Sequence, residues 1–180
     1  MSIGNAAIWY APDGYDPQKG INGRRVAGES FLRGFFAHSR ADELVCVTQD
    51  PAGEAHLRAF AAREHVTRPI RVTRHATPGQ IAPVEVLYWP SPNLGAMCWQ
   101  RAPLGAAAYA LCGVTHTTAT KAVMQGMFDL RVAPQMPWDA VICTSKAVHA
   151  SLVAQMDLGD GWLAGRFGGA PPPRPLLPVI

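Results

Sequence analysis

The sequence predicts an α/β protein with a Rossmann-like, doubly wound and mostly parallel sheet that has helices on both faces. Short apolar segments rich in strand-forming residues alternate with longer segments of helical period. This alternation is typical of parallel strands joined by right-handed helical crossovers. With 180 residues, of which 48% are hydrophobic, the chain is long enough to bury one core, so we expect a single domain.

Four short apolar segments in the first half of the chain predict strands. They are Ala6–Tyr10, Leu44–Thr48, residues 70–73 and Val86–Trp89. Helices are predicted between them at residues 28–38, where four apolar side chains form one stripe, and at residues 53–65. Pro90 and Pro92 end the fourth strand, and residues 94–101 again have a helical pattern.

The second half of the chain predicts two more strands. Ala110–Val114 is almost entirely apolar, as expected of a strand that is covered on both faces, so we place it near the centre of the sheet. A helix is expected at residues 120–127, capped by the hydroxyl of Thr118 or Thr120. Residues 139–144 predict a further buried strand, and another helix follows it.

The composition changes at residue 159. Residues 159–175 are rich in Gly and Pro, and they predict a loop or a semi-rigid extended spacer. We therefore expect a Rossmann-like domain at residues 1–158, and a Gly/Pro-rich segment with the start of a strand at residues 159–180. Because that last strand is short and apolar, we expect more of the protein to follow it.

Composition and charge exclude several classes of protein. A formal net charge of +3 with 16% charged residues is too low for a nucleic-acid binder, and the hydrophobic content argues against disorder. The four cysteines include no CxxC pair, so we expect buried, reduced thiols, no metal site and a cytoplasmic setting. The sequence contains neither a secretory signal pattern nor a run of about 18 apolar residues that could span a membrane. Peripheral membrane contact is an alternative that the sequence leaves open.

A glycine-rich segment at residues 20–30 follows the first strand, where a doubly wound fold opens its ligand crevice. Glycines let a backbone approach a ligand closely, and the start of the next helix could bind an anion such as a phosphate. The candidate substrate-binding residues in this segment are Gly20, Gly23, Arg24 and Gly28. A flexible turn is the alternative. The spacing is not GxGxxG and no acidic residue ends the second strand, which disfavours a nicotinamide site.

Two further candidate segments follow the predicted central strand and the last buried strand. Thr115, His116 and Thr117 come directly after the central strand, where the imidazole could exchange a hydrogen bond with a sugar or phosphate oxygen. A structural histidine is the alternative. Thr144 and Ser145 could also touch a ligand, although Ser145 is expected first as a helix cap. The other five histidines are expected to be solvated and without partners.

Taken together and in this order, three segments resemble the N-terminal domain of bacterial retaining glycosyltransferases of the GT-B fold, family 4 type. They are residues 20–30, Gly-Val-Thr-His-Thr-Thr-Ala-Thr at 113–120 and Pro-Trp-Asp-Ala-Val-Ile-Cys-Thr-Ser at 137–145. The resemblance spans most of the chain, and residues 175–180 resemble the strand that leads those enzymes into their second domain.

The resemblance implies transfer of a sugar from a nucleotide-sugar donor to an acceptor hydroxyl, without a metal ion or other cofactor. His116 would be the catalytic residue and would contact the donor sugar, and the glycine segment would approach the donor phosphates or the acceptor. The acidic E-x7-E type motif of the family's donor-binding domain is missing from the sequence. We therefore expect this chain to be inactive by itself.

Other functions stay open at this point. A standalone α/β ligand-binding or regulatory module would explain the absence of catalytic carboxylates. A dehydrogenase-like cofactor domain is a third alternative, which NAD(P) should stabilise thermally if it binds. Nucleophilic hydrolases, P-loop NTPases and zinc proteases are disfavoured, because the chain has no GxSxG, no Gly-Lys-Ser/Thr phosphate loop and no HExxH motif.

Overall fold

The described part of the chain forms a six-stranded parallel sheet. The computed structural model describes residues 5–20, 23–81 and 83–180. In chain order the strands are β1 Ala6–Tyr10, β2 Leu44–Thr48, β3 Ile70–Arg74, β4 Val86–Trp89, β5 Ala110–Val114 and β6 Ala140–Ile142. They are arranged β3-β2-β1-β4-β5-β6, the strand order of Rossmann dinucleotide-binding folds. The predicted α/β fold class is confirmed.

Helices flank the sheet. Within the described residues the α-helices are α1 Pro12–Tyr15, α2 Gly23–His38, α3 Pro51–Arg63, α4 Gly95–Arg101, α5 Lys121–Val132 and α6 Lys146–Phe167. Short 3-10 segments lie at Pro17–Lys19, Pro78–Gln80 and Ala102–Leu104. The chain divides into two compact units, the first ending at Tyr88 and the second beginning at Trp89.

The core of the first unit is built around β2. All five residues of β2 are fully buried, and the strand is paired with β1 on one side and β3 on the other. Leu32 of α2 and Leu57 of α3 are also inaccessible to solvent. A strand that is covered on both faces needs a continuous apolar run, and this is why the Leu-Val-Cys-Val segment predicts β2 correctly.

The structure corrects the loop predicted at residues 20–30. Helix α2 begins at Gly23, so most of that segment is helical. The chain after β1 turns instead through α1 and Pro17–Lys19, and each of these begins with a proline, which suits the first position of a helix. Glycine inside a helix costs only about 1 kcal/mol relative to alanine, and the packing of α1 on α2 offsets this cost.

The spacer predicted at residues 159–175 is also corrected, because α6 continues through residues 159–167. Gly159 lies against α5, where an added Cβ would be in ordinary van der Waals contact with Phe128. The nearly buried Asp160 accepts hydrogen bonds from Arg131 at 2.7 Å and from Arg174 at 2.6 Å. Packing on α5 and this ion cluster therefore outweigh the low helix propensity of the glycines.

The last residues of the chain lie beside β6. Leu176 and Val179 form parallel bridges with Ala140 and Cys143. The backbone N–H of Val141 donates to the carbonyl oxygen of Leu176 at 2.9 Å. The predicted strand at the end of the chain is therefore an extended segment that pairs with the edge of the sheet.

Acid should weaken the cluster that holds this segment. Burial alone would raise the pKa of Asp160, but hydrogen bonds from Arg131 and Arg174 lower that pKa below its ordinary value. A lowered folded-state pKa contributes stability that is complete above the unfolded-state pKa, near 3.9, and is lost as the pH falls through the folded-state pKa. The stability difference between the parent protein and Asp160→Asn should therefore be constant above about pH 5 and shrink below about pH 4.

Urea unfolding between pH 3 and pH 7 measures this difference. Asp129→Asn is the control, because Asp129 is an exposed carboxylate on α5 whose partner is a glutamine amide. We expect it to change stability by less than about 0.5 kcal/mol throughout. An Asp160→Asn difference that does not change down to pH 3 would contradict the role given to the cluster.

Candidate functional site

The predicted glycine segment provides a glycine in a special conformation and two exposed residues. Gly20 has a φ of 121°, which residues with a side chain rarely adopt, and Arg25 donates to its carbonyl oxygen at 2.8 Å. Gly23 and Arg24 are exposed in the first turn of α2. Arg24 donates to the backbone oxygen of Asp13 at 3.3 Å. Ligand binding by these residues stays a prediction.

Gly28 has a structural partner. It is buried on α2, and a Cβ at this position would lie 2.0 Å from the carbonyl oxygen of Gly14 in α1. The close backbone approach expected of this glycine therefore exists, but it occurs between two helices of the protein. Gly28 allows α1 to pack on α2 and so holds the segment that follows β1.

The structure brings Thr115 and Thr144 together at the carboxyl ends of β5 and β6. The fully buried hydroxyl of Thr115 donates to the oxygen of Ile142 at 3.1 Å and accepts from the N–H of Thr144 at 3.2 Å. Ser145 accepts from the N–H of Val148 at 3.2 Å, so the predicted helix cap is confirmed. Thr115 thus links two strands, while Thr144 is exposed to solvent.

His116 and Thr117 are exposed in the loop between β5 and α5. Of the two predicted caps of α5, Thr118 and Thr120, the structure shows Thr120 as the cap. Helices α5 and α6 both begin with an exposed lysine, Lys121 and Lys146. Each ammonium group adds to the partial positive charge of a helix N-terminus, so this edge of the second unit suits an anion. The two lysines were missed in the sequence, although each directly follows a hydroxyl cap.

The first unit contains a cluster that no sequence motif indicated. The Tyr10 hydroxyl lies 2.6 Å from Nδ1 of His56, and Nε2 of His56 lies 3.1 Å from a carboxylate oxygen of Asp16. Tyr15 stacks on Tyr10 with ring centroids 5.1 Å apart. The expectation that His56 has no partner is therefore wrong. Its partners are 40 and 46 residues away in sequence, and local spacing could not reveal them.

The Tyr10 hydroxyl in this cluster keeps its proton. Burial raises the pKa of Tyr10 well above its ordinary value, and the nearby Asp16 carboxylate raises it further. At neutral pH the phenol is consequently a hydrogen-bond donor. It is not a base.

A pocket opens beside this cluster at the carboxyl ends of β1 and β2. Its volume is about 350 Å³, within the range of small-ligand sites. The lining residues are Tyr10, Ala11, Pro12, Gln49, Asp50, Ala52, Gly53 and His56. Asp50 stands two residues beyond the end of β2 and was passed over in the sequence because it is not the last residue of that strand.

A larger cavity of about 720 Å³ lies at the opposite end of the first unit, where α2 and α3 end. Three of its charged side chains, those of Arg33, Glu64 and Arg68, already have partners in the protein. Arg33 forms a two-bond ion pair with Glu64, at 2.9 and 3.0 Å, and Arg68 donates to backbone oxygens at the end of α2. We therefore assign these side chains to stability, since parallel α/β sheets bind ligands at the carboxyl ends of their strands.

The described residues, 5–20, 23–81 and 83–180, carry neither a metal-binding nor a membrane-spanning signature. No group of three or more His, Cys, Asp or Glu side chains there could hold a metal ion, and no helix in those ranges could cross a membrane. The four cysteines are free thiols, of which Cys46, Cys98 and Cys143 are buried and Cys112 is partly buried. Burial raises the pKa of Cys46 to about 12, so its thiol is unreactive at neutral pH.

These features define a Rossmann-like α/β protein with polar clusters at the carboxyl ends of its strands. The group with Tyr10, His56 and Asp50 belongs to the first unit, whereas His116 and Thr144, which follow β5 and β6, belong to the second. Comparison with protein-family models, with curated proteins and with solved structures finds no match to the chain.

Proposed function

We propose that the chain is the N-terminal half of a retaining glycosyltransferase that uses a nucleotide-sugar donor. The observation that carries the proposal is the group of exposed residues after β5 and β6. His116, Thr117 and Thr144 follow the ends of these two strands, and Lys121 and Lys146 begin the helices that come next. Hydroxyls and an imidazole suit a sugar, while two ammonium groups at helix N-termini suit a diphosphate.

The proposed reaction needs positioning and charge stabilisation, and no residue of the chain has to act as a nucleophile. The bond between the anomeric carbon and the diphosphate oxygen breaks, and a bond from that carbon to the acceptor oxygen forms with retention of configuration. The proton of the acceptor hydroxyl leaves with the departing diphosphate. Lys121 and Lys146 would stabilise the negative charge on that diphosphate, and His116 would hold the donor sugar by a hydrogen bond.

Transfer by the full-length protein that carries this chain tests the proposal. We expect release of nucleoside diphosphate from at least one nucleotide sugar in a panel, and a loss of about 10²–10³-fold in kcat for His116→Ala, as when one stabilising hydrogen-bond donor is removed. His149→Ala is the matched control, because His149 lies on α6 one turn beyond its start. It should retain activity within about twofold.

Two results would count against the proposal. One is a full-length protein that transfers from none of the nucleotide sugars, and the other is a His116→Ala variant as active as the parent. Binding of adenine nucleotides to the chain without any response to sugars would favour the alternative, a standalone ligand-binding or regulatory module. The 180 residues alone should show no transfer, since the proposed donor-binding half is absent from them.

A further inference from the structure

The pocket at the ends of β1 and β2 has a fixed aromatic wall. A carboxylate only accepts hydrogen bonds, so Nε2 of His56 carries the hydrogen that Asp16 accepts. Nδ1, the other ring nitrogen, pairs with the Tyr10 hydroxyl. Both ring nitrogens are thus occupied by the protein. His56 lines the pocket as a positioned ring, beside the apolar surfaces of Pro12 and Ala52.

The polar groups that line the pocket include the carboxylate of Asp50, which accepts hydrogen bonds, and the side-chain amide of Gln49. One oxygen of Asp50 accepts the N–H of Gly53 at 2.8 Å and caps α3. The second oxygen of Asp50 makes no hydrogen bond within the described residues, and Gln49 lies exposed beside it. An ionised carboxylate accepts strong hydrogen bonds from hydroxyl groups. A glutamine amide both donates and accepts hydrogen bonds.

The same groups disfavour an anionic ligand. Asp50 already occupies the positive end of α3, and a second carboxylate, Asp16, lies behind His56. The residues that line the pocket include neither Lys nor Arg. Arg74 donates to the backbone oxygen of Asp50, but its guanidinium is already paired with Glu54. A phosphate or carboxylate in the pocket would therefore meet like charge.

From this arrangement we infer that the pocket binds a neutral vicinal diol, with Asp50 accepting from its hydroxyls and with the carbon face of the ligand against Pro12, Ala52 and His56. Sugar rings and the ribose of a nucleoside share this chemistry. A carboxylate just beyond the second strand is also where Rossmann folds bind ribose hydroxyls. The inference stands on the pocket of the first unit and does not depend on the proposed transfer reaction.

Titration of the chain followed by amide NMR tests the inference. The probes are methyl α-glucopyranoside, adenosine, 2′,3′-dideoxyadenosine and inorganic phosphate. At least one of the two diols should shift the amide signals of Ala11 and Gly53 with a millimolar dissociation constant, while phosphate and the dideoxynucleoside should not. Binding of the glucoside alone identifies a carbohydrate as the source of the diol, and binding of adenosine alone identifies a nucleoside.

Asp50→Asn separates ligand binding from folding. Asparagine caps a helix as well as aspartate does, so the variant should keep its fold but bind the diol at least about tenfold more weakly. Gln49→Ala, in an exposed turn, is a second variant that should also weaken binding. Asp13→Asn is the control, because Asp13 is a largely exposed carboxylate nearby that does not line the pocket. It should leave the dissociation constant unchanged.

Three outcomes would overturn the inference: no diol shifts the pocket signals, the dideoxynucleoside or phosphate binds as well as a diol, or Asp50→Asn and Gln49→Ala both bind like the parent. None of these outcomes bears on transfer by the full-length protein, which the His116→Ala assay measures separately. Conversely, a protein without transferase activity could still bind the diol. The two failures are therefore distinguishable.

Discussion

Replacing Asp139 with alanine should lower the free energy of unfolding by about 3–5 kcal/mol, the cost of leaving a buried charge without its partner. Asp139 and Arg101 are both fully buried, and they form a two-bond ion pair at 2.6 and 2.8 Å. The Asp139 carboxylate also accepts the N–H groups of Leu111 and Met136. One side chain thus joins α4, the start of β5 and the turn before β6.

A double-mutant cycle isolates the pair from the rest of the network. Arg101→Met and Asp139→Asn should each be strongly destabilising. The double variant should lose less free energy of unfolding than the two single variants lose together. Urea unfolding midpoints at pH 7 measure all three. Arg58→Ala provides the comparison, because Arg58 pairs with Glu54 on the surface of α3, and such exposed pairs contribute less than about 1 kcal/mol. Additive losses would show that the two charges are not coupled.

The second large effect is expected at Gly28. An alanine there would place its Cβ 2.0 Å from the Gly14 carbonyl oxygen, and a backbone oxygen cannot move away without moving α1. Overpacking of this kind costs about 1–3 kcal/mol or more. Asp16 follows α1 directly, so the displacement should also disturb its contact with His56 and weaken any ligand bound in the adjacent pocket.

Gly34 offers a matched control in the same helix. A Cβ at Gly34 would meet no atom within 4 Å, so Gly34→Ala should be neutral or stabilise the protein by up to about 1 kcal/mol. Thermal unfolding of the two variants gives the comparison directly. If both substitutions stabilise the protein to the same extent, α1 does not pack on α2 at Gly28.

Local sequence patterns were sufficient for much of the sheet. The predicted bounds of β1, β2, β4 and β5 agree with the structure, because each strand is an apolar run that turn residues or a proline end. Ser145 and Thr120 were recognisable as caps because the bond that each makes spans only three residues. The predicted segments with Thr115 and Thr144 follow neighbouring parallel strands, so their proximity also follows from the fold class.

The sequence by itself therefore determined the α/β class, the main strands and the residues that follow them, since these depend on contacts within a few residues. Tertiary structure decided the rest. Gly28 lies in a helix and not in a loop because Gly14 packs against it, and the end of α6 is helical because distant arginines bind Asp160. The pocket beside Tyr10, His56 and Asp50 arises because β1 and β2 pair in the sheet, a contact between residues that are 38 positions apart in the sequence. Such contacts leave no periodic signal in a single sequence.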